Sequence, residues 1–125
     1  MKIFVATSKK FYDYVKQLIK QPLDVLNVEA FYPFFNLKDE VENDEELKKN
    51  VTLSRFPEID ESDVLYVYAK DGYVGHSVTI EMAYAFAKGK EIISSEPVKE
   101  YAVRALVTKV MPAPAFLEYI KRTNK

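Results

Sequence analysis

A chain of 125 residues with about half of them apolar bounds a single domain (1–125) with one packed core. Its charges nearly cancel, at net −1, which argues against a nucleic-acid partner, because such surfaces carry a basic surplus. With no cysteine and one histidine, neither a disulfide, a thiolate zinc site nor a multi-histidine metal centre is open to it.

The opening run MKIFVAT is too short for a secretory signal, and no stretch approaches a membrane span. A cytoplasmic protein without a membrane partner is expected. Within that run, Lys2–Thr7 reads as a strand whose nearly continuous apolar stretch suits burial on both faces. Ser8 is placed to cap a helix from Lys9 to about Lys20, with Phe11, Tyr12, Val15, Leu18 and Ile19 on one side. Pro22 is expected to end it. A second strand is predicted over Asn27–Tyr32, stopped by Pro33. The acidic NLKDEVEND follows as a loop, with a cap at Asp44 and a helix from Glu45 that Pro57 interrupts or kinks.

DVLYVYA (Asp63–Ala69) is the plainest strand, rich in β-branched and aromatic residues. The loop Lys70–His76 holds two of the three glycines, and Ser77 is a good cap for a helix that stops at Gly89. EIISS gives a fourth strand, Tyr101–Leu106 a helical pattern, VTKVM either a helix end or a short strand, and Pro114–Arg122 a last amphipathic helix.

Alternating strands and helices with apolar central strands predict a doubly wound α/β fold, Rossmann- or flavodoxin-like. The expected sheet is parallel, of four or five strands in the order 2-1-3-4 with a possible fifth, and helices cover both faces. Ligands of such sheets bind beyond the carboxyl ends of the strands, where the winding reverses. That point lies between the loops after strands 1 and 3. It makes Thr7 and Ser8 binding candidates on one side, and Asp71, Gly72, Gly75, His76, Ser77 and Thr79 on the other.

Glu81 stands out, a carboxylate early in a helix built for burial. An acid there suits the positive end of the helix dipole, worth about 0.3–1 kcal/mol. It equally suits a crevice in which an ionised carboxylate attacks an electrophilic sugar carbon. Its neighbours Ile80, Met82 and Ala83 offer no polar company, which favours the crevice. His76 reads either as exposed or as a phosphate donor. Lys9 and Lys10 are a solvated pair or anion contacts, and Arg55 a surface helix residue or a phosphate grip. Tyr12, Tyr73 and FYPFF serve either the core or base stacking.

The stretch DESDVLYVYAKDGYVGHSVTIEMAYAFAKGKEI resembles the core of the nucleoside 2-deoxyribosyltransferase-like proteins. Ser62-Asp63 opens the strand, Gly75 lies in the loop and Ser77 precedes Glu81 by four. Ala83, Tyr84 and Ala85 follow, and Gly89-Lys90 leads into Glu91-Ile92-Ile93. The start, KIFVATS, fits the family's first strand. The resemblance implies that Glu81 is a nucleophile that displaces the base of a nucleoside or nucleotide through a glycosyl-enzyme ester. It also implies that Ser77 and nearby N–H groups contact the sugar or a 5′-phosphate, with no cofactor and no metal. The family completes its site across subunits, so a homodimer or higher homo-oligomer is expected. The chain departs from the pattern where active transferases carry two aspartates: those places fall at Gly75 and Arg55. The acid that would protonate the leaving base is therefore not visible, Asp71 being displaced in register. The family's C-terminal asparagine would correspond to Asn124. A nucleotide- or sugar-phosphate-binding module without turnover is the alternative.

Overall fold

A computed structural model describes residues 1–36 and 43–123; most of the acidic loop and Asn124 lie outside them. Five parallel strands form one sheet in the order β2-β1-β3-β4-β5. They are β1 (Lys2–Thr7), β2 (Glu29–Phe31), β3 (Val64–Tyr68), β4 (Glu91–Ser94) and β5 (Lys109–Val110). The expected winding is present, and VTKVM supplies the fifth strand.

The sheet buries both faces because its strands alternate between two cores. Phe4 and Ala6 of β1, with Leu65 and Val67 of β3, point to one side. There they meet Ile59 of α3 (Phe56–Glu61) and Val78, Met82 and Ala85 of α4 (His76–Ala87). Ile3 and Val5, with Val64 and Tyr66, point to the other side. They pack on Val15, Ile19 and Leu23 of α1 (residues 9–25) and on Phe116 and Ile120 of α6 (Ala113–Thr123). Full burial of each such side chain stabilises the fold by roughly 1.5–3 kcal/mol.

The helix α1 departs from expectation. It does not end at Pro22 but runs through it to Val25. A π-helical turn, Lys16–Lys20, precedes the proline. The wider turn relaxes the i to i−4 ladder at the place where the pyrrolidine ring would collide with it. The same widening explains why Phe11, Val15, Ile19 and Leu23 recur every four residues on the buried side, while Leu18 is left exposed. Asn27 then ends the helix in the left-handed region, at φ 57°. The N–H of Asn27 bonds to the Asp24 carbonyl and that of Val28 to the Leu23 carbonyl, a Schellman closure. This is why β2 begins two residues later than its composition suggests.

Asp44 caps α2 (Glu45–Ser54) as expected, its Oδ1 accepting from the Leu47 N–H at 3.0 Å. Pro57 cannot continue α2, so a new helix, α3, starts at Phe56 with the proline in its first turn. Arg55 stands at the joint. A short α5 (Tyr101–Arg104) completes the set.

Candidate active site

The loops after β1 and β3 meet at the carboxyl edge of the sheet, as the winding requires. Two side chains close the seam. Thr7 Oγ1 donates to the Tyr68 carbonyl at 2.9 Å, and the Gly75 N–H donates to Ser8 Oγ at 3.0 Å. Ser8 therefore does not cap α1 with its side chain, as its position suggested; it holds the mouth of α4. That helix begins at His76 with Gly75 as its cap, so Ser77 lies in the first turn rather than at the cap.

The shift matters for Glu81, which falls in the second turn of α4; the first turn holds no acid. The helix dipole fades within the first turn. It does not account for a carboxylate in the second.

Above the seam lies a cleft in two parts. An inner recess of about 70 Å³ is lined by Glu81, Arg55, Phe34 and Val51, among others. It opens into an outer bowl of about 340 Å³ bordered by Ser8, Lys9, Tyr73, Gly75 and His76. Thr7, Tyr12, Lys48, Ser77 and Val78 line both. The recess has room for a small group or a few waters, and the bowl is within the size range of small-molecule sites. Among the described residues that line the cleft, Glu81 is the one carboxylate.

Its side chain is 15% exposed. Burial pushes its carboxyl from an ordinary 4.5 up to about 7, with the Arg55 guanidinium pulling the other way. Glu58 adds to the rise and Lys48 reduces it. Burial wins because the ion pair is long, 3.9 Å from Arg55 Nε to Glu81 Oε2. Near neutrality the group is therefore divided between its acid and carboxylate forms.

Arg55 is not the surface residue that its helical context suggested; it is 4% exposed. Its Nη2 donates to the Tyr32 carbonyl at 2.8 Å, and Nη1 lies 2.8 Å from Glu58 Oε1, an ionic contact outside hydrogen-bond alignment. The rings of Phe4 and Phe34 flank the guanidinium, each 4.6 Å from its carbon. So engaged, it has little left to grip a phosphate.

The structure thus gathers Thr7, Ser8, Gly75, His76, Ser77 and Glu81 around one cleft. Asp71, Gly72 and Thr79 do not line it. Asp71 and Gly72, with φ 58° and 79°, turn toward the segment after β4. There the Asp71 N–H donates to Glu96 and Gly72 packs against Pro97. Thr79 turns its hydroxyl back to the Gly75 carbonyl at 2.8 Å. Lys10 sits over the Tyr73 ring at 3.4 Å. Sequence reasoning missed Lys48 as a wall residue, and it offered Arg55 and the FYPFF run only as one of two alternatives each. The available signal for Arg55 was its position two residues before Pro57, at a forced helix joint.

A 2-deoxyribosyltransferase from Bacillus psychrosaccharolyticus superposes over 98% of this chain and 95% of its own, with a TM-score of 0.74 and 19% identity. The chain has the deoxyribosyltransferase fold. A conserved protein from Enterococcus faecalis V583 matches with a TM-score of 0.68 at 16% identity, over 98% of both chains. The CMP N-glycosidase of Clostridium botulinum matches with a TM-score of 0.62 at 16% identity, over 98% of this chain and 99% of its own. No protein-family model matches the sequence, and no curated protein does. Among the described residues no helix is long and apolar enough to cross a membrane, and no group of acidic or histidine side chains is arranged to hold a metal ion.

Proposed function

We propose that this protein cleaves or transfers the N-glycosidic bond of a nucleoside or nucleotide, with Glu81 as the nucleophile. One observation carries the reading: α4 delivers a carboxylate, alone among the described wall residues, to the bottom of the cleft at the winding reversal. The solved deoxyribosyltransferase and CMP N-glycosidase of the same fold support the substrate class.

In its ionised form a Glu81 oxygen attacks the anomeric carbon as the carbon–nitrogen bond breaks. The electron pair of that bond leaves with the base, which takes a proton from water in the open bowl. A glycosyl ester on Glu81 results. Water or a second base then attacks the same carbon and returns the carboxylate, so configuration is retained overall. Thr7 and Ser77 stand where sugar hydroxyls would lie, with Lys9 and His76 at the outer rim. Among the described residues the cleft offers no second carboxyl to protonate the leaving base, a contribution of about 10²–10⁴-fold, so turnover by these residues alone is expected to be slow.

The lack of a second carboxyl among the described wall residues also favours a second reading, in which the cleft binds a nucleotide or sugar phosphate without turnover. A panel of deoxynucleosides, ribonucleosides and their monophosphates separates the two. Release of free base by the native protein and not by Glu81→Gln supports the enzyme. A mass increase on the denatured protein, equal to the sugar and absent from Glu81→Gln, identifies the ester. Equal, background release from both proteins removes the catalytic reading. Thermal stabilisation that grows with nucleotide concentration would then leave binding alone.

A further inference from the structure

The place held by Arg55 invites a further question: what does a buried arginine do beside the nucleophile? A guanidinium held this way cannot follow a substrate. It is fixed from four directions, by Glu58, by the Tyr32 carbonyl and by the rings of Phe4 and Phe34. None of these partners depends on Glu81. Its Nε faces Glu81 Oε2 at 3.9 Å, close enough for charge attraction and too far for a hydrogen bond. Among the described residues, no hydrogen bond engages the Glu81 carboxylate, and its side chain lines the recess.

We propose that Arg55 is a positioning residue that favours the charged form of Glu81, and so its attack, while Glu58 keeps Arg55 compensated throughout the reaction. This rests on the reading of Glu81 as the nucleophile. The charge count supports it. With Glu81 ionised, Arg55 faces two carboxylates, with Lys48 nearby. Once Glu81 is esterified, the Arg55–Glu58 pair remains neutral by itself, and no unpaired buried charge is left behind. Among the other described groups around Glu81 the one further cation is Lys48, whose pull is weaker than that of Arg55. Lys48 comes from α2 and Glu58 from α3, Tyr12 from α1 brings a neutral phenol, and Ser77 of α4 a hydroxyl. The β1 residues Val5 and Thr7, and Pro33 and Phe34 after β2, carry no charge.

The arrangement predicts opposite responses to two substitutions. Removing the cation should make Glu81 harder to ionise; removing Glu58 should make it easier. The test follows the Glu81 carboxyl carbon by NMR across pH in protein labelled at glutamate, with Glu81→Gln used for assignment. In Arg55→Gln the titration midpoint should rise by roughly one pH unit or more. In Arg55→Lys it should stay near the native value, and in Glu58→Gln it should fall. The acid limb of the base-release rate should move in the same directions. Midpoints that stay put, or move the same way in Arg55→Gln and Glu58→Gln, overturn the proposal. Should Arg55→Gln not fold, Glu58, whose side chain is 26% exposed, still decides: a midpoint in Glu58→Gln that is unchanged or raised overturns it. Midpoints that move as stated in a protein that never releases base uphold the role of Arg55 and remove the catalytic reading alone.

Discussion

The Gly75 N–H donates to Ser8 Oγ at 3.0 Å, joining two residues 67 apart in sequence at the mouth of the cleft. The bond ties the loop after β1 to the first turn of α4, the helix that carries Glu81. It also explains why residue 75 is a glycine, although its backbone is ordinary. A β-carbon there would come within 3.2 Å of the same Ser8 oxygen. Ser8→Ala should therefore cost about 0.5–1.5 kcal/mol in urea unfolding. Gly75→Ala should cost less in the Ser8→Ala background than in the native one, because the oxygen it crowds is gone. Strict additivity of the two changes would show that the residues are not coupled as described.

Gly72 and Gly89 provide a controlled comparison of backbone strain against collision. Both adopt positive φ, 79° and 73°. A β-carbon at Gly89 meets nothing within 4 Å, whereas one at Gly72 falls 2.7 Å from the Pro97 carbonyl oxygen. Gly89→Ala should cost only the left-handed penalty, about 1 kcal/mol. Gly72→Ala adds a collision with backbone that cannot swing aside, and should cost roughly 2 kcal/mol or more. Equal costs for the two would mean that the segment after β4 yields freely.

Asn27 ends α1 in the left-handed region at φ 57°. Glycine adopts that geometry without a β-carbon penalty, and alanine does not. Asn27→Gly should leave thermal stability within about 0.5 kcal/mol of native, or slightly above it, and Asn27→Ala should lower it by about 1 kcal/mol. An alanine variant as stable as native would place the end of the helix elsewhere.

The fold was legible in the sequence because strand burial leaves a strong imprint. The runs at residues 3–6 and 64–67 are apolar at every position, which only a sheet covered on both faces requires. The end of α1 was not legible. Proline predicts a break unless the helix widens before it, and a π-turn leaves no mark in composition. Glu81 stood out because an acid interrupts an apolar helix. The burial of Arg55 was not legible: a lone arginine near a helix end is usually solvated, and its burial comes from Phe4, Phe34 and Glu58, which only the tertiary fold assembles. Thr79 and Ser77 show the same limit at finer scale. The cap of α4 lies two residues earlier than expected, at Gly75, and Thr79 returns its hydroxyl to that residue's carbonyl while Ser77 lines the cleft.

The position of Glu81 also fixes a sign for the dependence of stability on pH. Burial raises its carboxyl from 4.5 to about 7 in the folded protein. The folded state therefore retains a proton that the unfolded chain has lost. Below pH 4.5 the group is neutral in both states and costs nothing. As pH rises through the window up to about 7, the folded protein loses stability relative to the unfolded chain, and above it the loss is complete. At about 1.4 kcal/mol per pH unit this amounts to roughly 3 kcal/mol. Glutamine matches the shape of the protonated acid and never ionises. Glu81→Gln should thus be close to the native protein in stability near pH 4.5 and more stable than it by about 2–3 kcal/mol at pH 8. Chemical unfolding of both proteins across that range measures the difference. If the two stability curves run parallel, the carboxyl is not held in the buried recess, and its claim to act as a poised nucleophile goes with it.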